Sequence, residues 1–187
     1  QNTKGVPMTV VEDRFLARNA NDVPRLFSRT SDFRFDGDCG SLLHRRLPTG
    51  PRGYSVVDVT STGHQASFVE RDRLALTVPF EGHSEVRVAD RTFVTRPGAF
   101  FAIGPSERHS KLIPSGEQGA YRSFTIIAPP RSDDRLDGET CRLVADAGMS
   151  RQLSQTIALA FDLFKGAREV PARRLALGGA LIEVLFL

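Results

Sequence analysis

Thr92-Phe93-Val94-Thr95-Arg96-Pro97-Gly98-Ala99-Phe100-Phe101-Ala102-Ile103 sets two short apolar runs on either side of a Pro-Gly pair. Proline fixes φ at the first turn position and glycine supplies the positive φ of the second, so Pro97-Gly98 reads as a type II turn. The flanking runs then read as strands, the second stopped by Gly104-Pro105. Outward from there, Glu85-Val86-Arg87-Val88 alternates polar and apolar, and Ala89-Asp90-Arg91 turns it back into Thr92. Leu74-Ala75-Leu76-Thr77-Val78-Pro79-Phe80 places Leu74, Leu76, Val78 and Phe80 on one face. Pro79 cannot donate to a ladder, which points to a strand edge or a bulge. Tyr54 to Val59 is β-branched and closes at Ser61-Thr62-Gly63, and Ala120 to Ala128 gives a last long strand before Pro129-Pro130. Many short strands with turns at regular intervals, from about Phe33 to Ala128, mean a sandwich or a barrel.

The flanks have a helical period. Asn21-Asp22-Val23-Pro24 reads as a short helix start, with Asn21 or Asp22 as cap and Pro24 in the first turn, where its missing N–H costs nothing. Arg131 to Glu139 is charged and turn-rich, a linker or a loop over the barrel. Leu153, Ile157, Phe161 and Phe164 then make one stripe of a helix ending near Gly166. Pro171 opens a second helix with two apolar sides: Leu177, Leu181, Val184 and Leu185 on one, Leu175, Ile182 and Phe186 on the other. A helix apolar on two sides must be covered twice. The barrel supplies one cover and a partner subunit the second, so Leu177, Leu181, Val184 and Leu185 are the expected dimerisation surface. Residues 1–130 are thus expected to form the barrel with its short helix, and 131–187 a linker and a helical dimerisation segment.

At 187 residues the chain is long enough for one domain with a full core. Lys and Arg exceed Asp and Glu by three, too small an excess to argue for a nucleic-acid surface. The two cysteines, Cys39 and Cys141, lack C-x-x-C spacing and read as reduced thiols of a cytoplasmic protein. No apolar run reaches the length of a membrane span and no signal-peptide pattern opens the chain, so no membrane partner is expected. The closing run Leu185-Phe186-Leu187 reads as a cut inside or just after a helix.

The sequence has no G-x-S-x-G elbow, Walker loop, dinucleotide fingerprint or H-E-x-x-H, and no catalytic residues are expected. A metal-binding barrel of this kind would carry an H-x-H pair with a following Glu, and a later His. Phe80-Glu81-Gly82-His83-Ser84-Glu85 has one His and no partner two residues on, and only His109 stands where the later ligand would be. Such an ion needs three or four donors, so neither a metal nor another cofactor is expected. The plainer reading of His109 is a turn histidine at the barrel mouth. His44 reads as a solvated strand residue, and the basic run His44-Arg45-Arg46 to Arg52 as a solvated loop. Only two helical stretches follow the barrel, and they show no helix-turn-helix pattern.

Asp13-Arg14-Phe15 with Asn21-Asp22-Val23, the strand into Phe80-Glu81-Gly82, and Phe93 to Phe101 followed by Gly104-Pro105 resemble, in that order, the AraC-binding-like cupin domain, the sensor domain of AraC-type transcription regulators. Tyr121 to Ile127 and the two closing helices match its later part, so the resemblance spans nearly the whole chain. It implies a mainly β fold, a cupin-like double-stranded β-barrel followed by two α-helices. It also implies a small-molecule effector in the barrel, a homodimer through the helices, and DNA contact only through a C-terminal helix-turn-helix domain absent from these residues. The family has no fixed pocket motif, so the pocket is argued physically. An apolar wall with few polar anchors points to Phe80, Phe101 and Tyr121, with His109 and Arg122 as anchors. Arg122 interrupts the apolar stripe Phe124, Ile126, Ala128 and would meet an acidic effector; alternatively the aromatics are core and Arg122 caps the barrel end. Two other functions stand beside the sensor. One is a cupin enzyme, such as an isomerase or dioxygenase, against which the missing metal motif weighs. The other is a dimerisation module whose barrel is filled with side chains.

Overall fold

The computed structural model describes residues 13–25, 31–35, 40–48, 54–68, 74–104, 107–116, 119–128, 144–164 and 172–185. Cys39 and Cys141 lie outside these residues. Two antiparallel sheets face each other, and two helices cover one of them.

The larger sheet holds β1 (Asp13–Ala17), β3 (Leu42–Pro48), β4 (Ser55–Ser61), β6 (Leu74–Glu81), β9 (Ala99–Ile103), β11 (Tyr121–Ala128) and β12 (Val144–Gly148), ordered β1-β3-β4-β11-β6-β9-β12. The smaller holds β2 (Ser31–Arg34), β5 (His64–Phe68), β7 (Ser84–Val88), β8 (Arg91–Thr95) and β10 (His109–Ile113), ordered β2-β5-β10-β7-β8. This is the expected mainly β, cupin-like barrel followed by two helices. Gly98 adopts φ +88° and the Ala99 N–H donates to the Arg96 carbonyl, so the Pro97-Gly98 turn forms as its residues require. The β6–β11 register shifts beside Pro79: Ser123 pairs with Pro79 while Arg122 pairs with Glu81, leaving Phe80 as the extra residue of a bulge.

In β7, Ser84, Val86 and Val88 are buried while Glu85 and Arg87 are exposed, the alternation of a half-buried strand. The central strand β11 differs, because both of its faces are covered. Tyr121, Ser123, Thr125 and Ile127 alternate with Arg122, Phe124, Ile126 and Ala128, and only Arg122 and Thr125 escape full burial. The first set faces the smaller sheet. Phe124 and Ile126 belong to a cluster with Val56, Val78 and the first helix.

That helix, α1 (Arg151–Phe164), starts at Ser150, whose hydroxyl accepts from the Leu153 N–H at 3.2 Å. Its expected stripe seats as read. Ile157, Phe161 and Phe164 are buried on the larger sheet and Leu153 is partly buried beside them. Phe161 stacks on Phe80 at 4.4 Å and meets Phe124 edge-on at 5.5 Å. The second helix, α2 (Ala172–Leu185), crosses α1 through Gly178, where an added methyl would overlap the Phe164 ring. The Arg174 guanidinium donates to the Asp162 carbonyl across the same junction.

Several sequence expectations change. The N-terminal turn is a 3-10 helix, Ala20–Asp22, capped by Asn19 rather than by Asn21 or Asp22. The Asp22 carboxylate instead accepts from the Asn19 N–H and the Arg18 N–H, closing the box from the other side. Residues 42–48, expected in part as a basic loop, are a strand paired on both edges, with β1 and β4. The side chains of His44, Arg45 and Arg46 lie outside the described residues. Past residue 130, β12 pairs with β9 and extends the larger sheet.

Candidate functional site: a cavity between the sheets

Alternation along each strand decides which side chains enter the space between the sheets. From the larger sheet come Leu42, Val57, Val59, Ala75, Thr77, Phe101, Thr125 and Ile127. From the smaller come His64 and Phe68 on β5, and His109 and Lys111 on β10. They enclose a cavity of about 70 Å³. One water needs roughly 10–15 Å³ on the same measure, so the space suits a handful of waters or one compact organic molecule. Its walls are mostly apolar with a few polar groups, the pattern of a small-molecule site.

Lys111 dominates the electrostatics. It is only 6% exposed and pairs in register with Ala66 on one side and Val86 on the other, two neighbours that leave its long side chain room. Its ammonium crosses to the opposite sheet and lies 4.6 Å from the Tyr121 ring centroid and 6.0 Å from that of Phe101. Aromatic faces attract a cation without neutralising it. Among the described residues no carboxylate pairs with it.

The two histidines on either side are held neutral. Burial, reinforced by the nearby Lys111 charge, pushes His64 down to about 3. Burial also pushes His109 down to about 4, opposed by the Glu107 backbone and reinforced to a lesser degree by Lys111. His64 Nδ1 lies 2.7 Å from the Ser61 hydroxyl, which also accepts from the Gly63 N–H. His109 stacks on Phe68 at 5.6 Å, and its Nδ1 is buried with no hydrogen-bond partner. The buried Tyr121 hydroxyl is likewise unpartnered.

The five residues expected in the pocket divide. Phe101 and His109 line the cavity, and Tyr121 lies under the Lys111 ammonium. His109 opens β10 and is buried, so it is not the turn histidine expected at the mouth. Phe80 and Arg122 are on the other side of the sheet. Phe80 stacks on Phe161, and the Arg122 guanidinium sits over Phe161 at 5.6 Å and pairs with Glu81 at 3.3 Å. The apolar stripe that Arg122 interrupts is real, but it faces α1. Lys111, His64 and the Thr77–Thr125 hydroxyl pair, 2.8 Å apart, were not anticipated. The one available signal was the two-residue parity of His109, Lys111 and Ile113, which puts the lysine on the same strand face as an apolar residue.

Barrels of this fold often hold a metal ion, and the donor set here does not fit one. Among the described residues no group of three His, Cys, Asp or Glu side chains comes together. The two imidazoles of the cavity share it with an ammonium, which opposes any cation.

The fold defines the class: a cupin-like barrel closed on one face by two helices. The AraC-like transcriptional activator CuxR shares it, with a TM-score of 0.56 over 92% of this chain and 69% of that one, at 16% identity. At that identity the likeness is one of fold. The E. coli protein YlbA aligns with a TM-score of 0.47 over 63% of this chain and 46% of its own, at 10% identity. The Schizosaccharomyces pombe Cnp3 cupin domain aligns at 0.43 over 51% of this chain and 68% of its own, at 15% identity. No protein-family model and no curated protein matches the sequence.

Proposed function

We propose that this chain is the effector-sensing and dimerisation part of a cytoplasmic AraC-type transcription regulator, that its barrel binds a small organic molecule, and that it catalyses no reaction. The observation that carries this reading is a mostly apolar cavity between the sheets, with a buried cation in its wall, inside the barrel-plus-helices fold of an AraC-like activator. A barrel serving only as a dimerisation scaffold has no need of a buried charge in its core, since an apolar residue there is more stable. In this reading promoter recognition belongs to a helix-turn-helix domain outside these 187 residues. The second subunit docks on the helices, where Leu159 of α1 and Leu177 of α2 are both more than half exposed.

A thermal-shift screen against small metabolites tests the reading. A hit is expected to raise the melting temperature and to be recovered unchanged by mass spectrometry. Thr125→Phe, which fills the cavity, is expected to abolish the shift. Conversion of the hit to a product would make the protein an enzyme. A shift that survives Thr125→Phe would place binding elsewhere.

A further inference from the structure

We propose that the cavity takes one compact monocarboxylic acid with an apolar or aromatic tail, its carboxylate held by the Lys111 ammonium. This rests on the effector-cavity reading and names the chemistry of the effector.

Four observations carry it. Lys111 is buried and, among the described residues, has no carboxylate partner, only the faces of Tyr121 and Phe101. A buried ion without a counter-ion is costly, and a ligand anion compensates it. The neighbouring imidazoles of His64 and His109 are neutral and bring no second charge. A single fixed positive charge matches a single negative one. Apart from the Thr77–Thr125 hydroxyl pair, the rest of the wall, including Val57, Val59, Phe68 and Ile127, is apolar and suits a hydrocarbon tail. Inorganic phosphate, which carries between about one and two negative charges near neutral pH, has more charge than the one ammonium balances. The volume of about 70 Å³ suits a short acid.

Calorimetry on the whole chain with butyrate and benzoate, each beside its amide, and with inorganic phosphate tests the assignment. At least one acid is expected to saturate at millimolar concentration or below, with its amide at least roughly 10-fold weaker, because a charge-assisted hydrogen bond is lost. Lys111→Met, close in shape and free of the charge, is expected to bind acid and amide alike, and Lys111→Arg to keep the preference. Thermal unfolding of both variants confirms that they fold, and the Arg variant decides the matter if the Met variant does not. Acid and amide binding the wild type equally overturns the proposal but leaves the effector cavity standing. So does an acid preference that survives Lys111→Met, or tighter binding of phosphate. Binding unchanged by Thr125→Phe removes both readings. If no probe saturates, the carboxylate assignment falls, and the library screen alone decides the effector reading.

Discussion

Lys111 is buried with no carboxylate partner among the described residues, and the cost of that burial is measurable without any ligand. An effective penalty of several kcal/mol attends a buried unpaired ion, and replacing it with an apolar side chain of similar volume often stabilises by about 1–4 kcal/mol. Lys111→Met is therefore expected to raise the melting temperature of the free protein while weakening acid binding. An unchanged or lower melting temperature would show that the ammonium already has its counter-charge. The histidines give a second handle. Both are depressed from 6.5, His64 to about 3 and His109 to about 4, so between those values and 6.5 the unfolded chain binds protons that the folded chain refuses. Stability is therefore complete above the unfolded value near pH 6.5 and falls as pH drops toward 4. The slope is on the order of 1 kcal/mol per pH unit for each histidine. Melting curves between pH 7 and 4.5 should show this decline, and His64→Gln should flatten it. A decline of the same steepness in that variant would assign the acid sensitivity to other groups.

Among the elements, α1 and β11 form the joint that orients the rest. Phe161 touches Phe80, Phe124 and the Arg122 guanidinium at once, so Phe161→Ala should cost about 3–5 kcal/mol in chemical denaturation. A loss under 1 kcal/mol would mean that α1 is not docked there. Gly178→Ala is expected to destabilise although alanine is the better helix former, because its methyl meets the Phe164 ring. A stabilised variant would place the α1–α2 contact elsewhere. The same joint explains which parts of the fold could be read in advance. Leu153, Ile157, Phe161 and Phe164 have one apolar face, and that periodicity points to the sheet without ambiguity. The turn residues of Pro97-Gly98 do the same for β8 and β9. β11 is apolar on both faces because α1 covers one and the smaller sheet the other, so alternation alone cannot tell inside from outside. Arg122 was read inward for that reason; Phe80, on β6, packs with Leu76 and Val78 on the α1 side. β5 and β10 escaped notice because the strands that bring the cavity its buried polar side chains, His64-Gln65-Ala66-Ser67-Phe68 and His109-Ser110-Lys111-Leu112-Ile113, carry the composition of exposed segments. β12, Val144-Ala145-Asp146-Ala147-Gly148, is short and small-residued, and joins the sheet only by pairing with β9.

For the whole molecule, the barrel supplies the cavity, and in the proposed reading two copies meet on the helices. Leu181, expected at that surface, is partly buried against the α1 cluster, whereas Leu177 is 56% and Leu159 53% exposed; the side chains of Val184 and Leu185 lie outside the described residues. The interface test accordingly uses Leu159→Glu with Leu177→Glu. Wild type is expected to sediment as a dimer at high micromolar concentration, since a two-fold contact buries the same patch on both copies, and the double variant as a folded monomer. A monomeric wild type would refute the dimer, and a dimeric double variant would move the interface to a barrel edge. Among the described residues no helix is long and apolar enough to cross a membrane. The central claim is that a small molecule lodges between the two sheets and leaves unaltered. The most direct measurement is a crystal structure of the chain grown with its tightest-binding metabolite. The account predicts that molecule, chemically intact, between β10 and β11 with a polar atom within hydrogen-bonding distance of Lys111 Nζ. A molecule seated outside the barrel, for example at Arg122 and Glu81, or one found as a converted product, would contradict it.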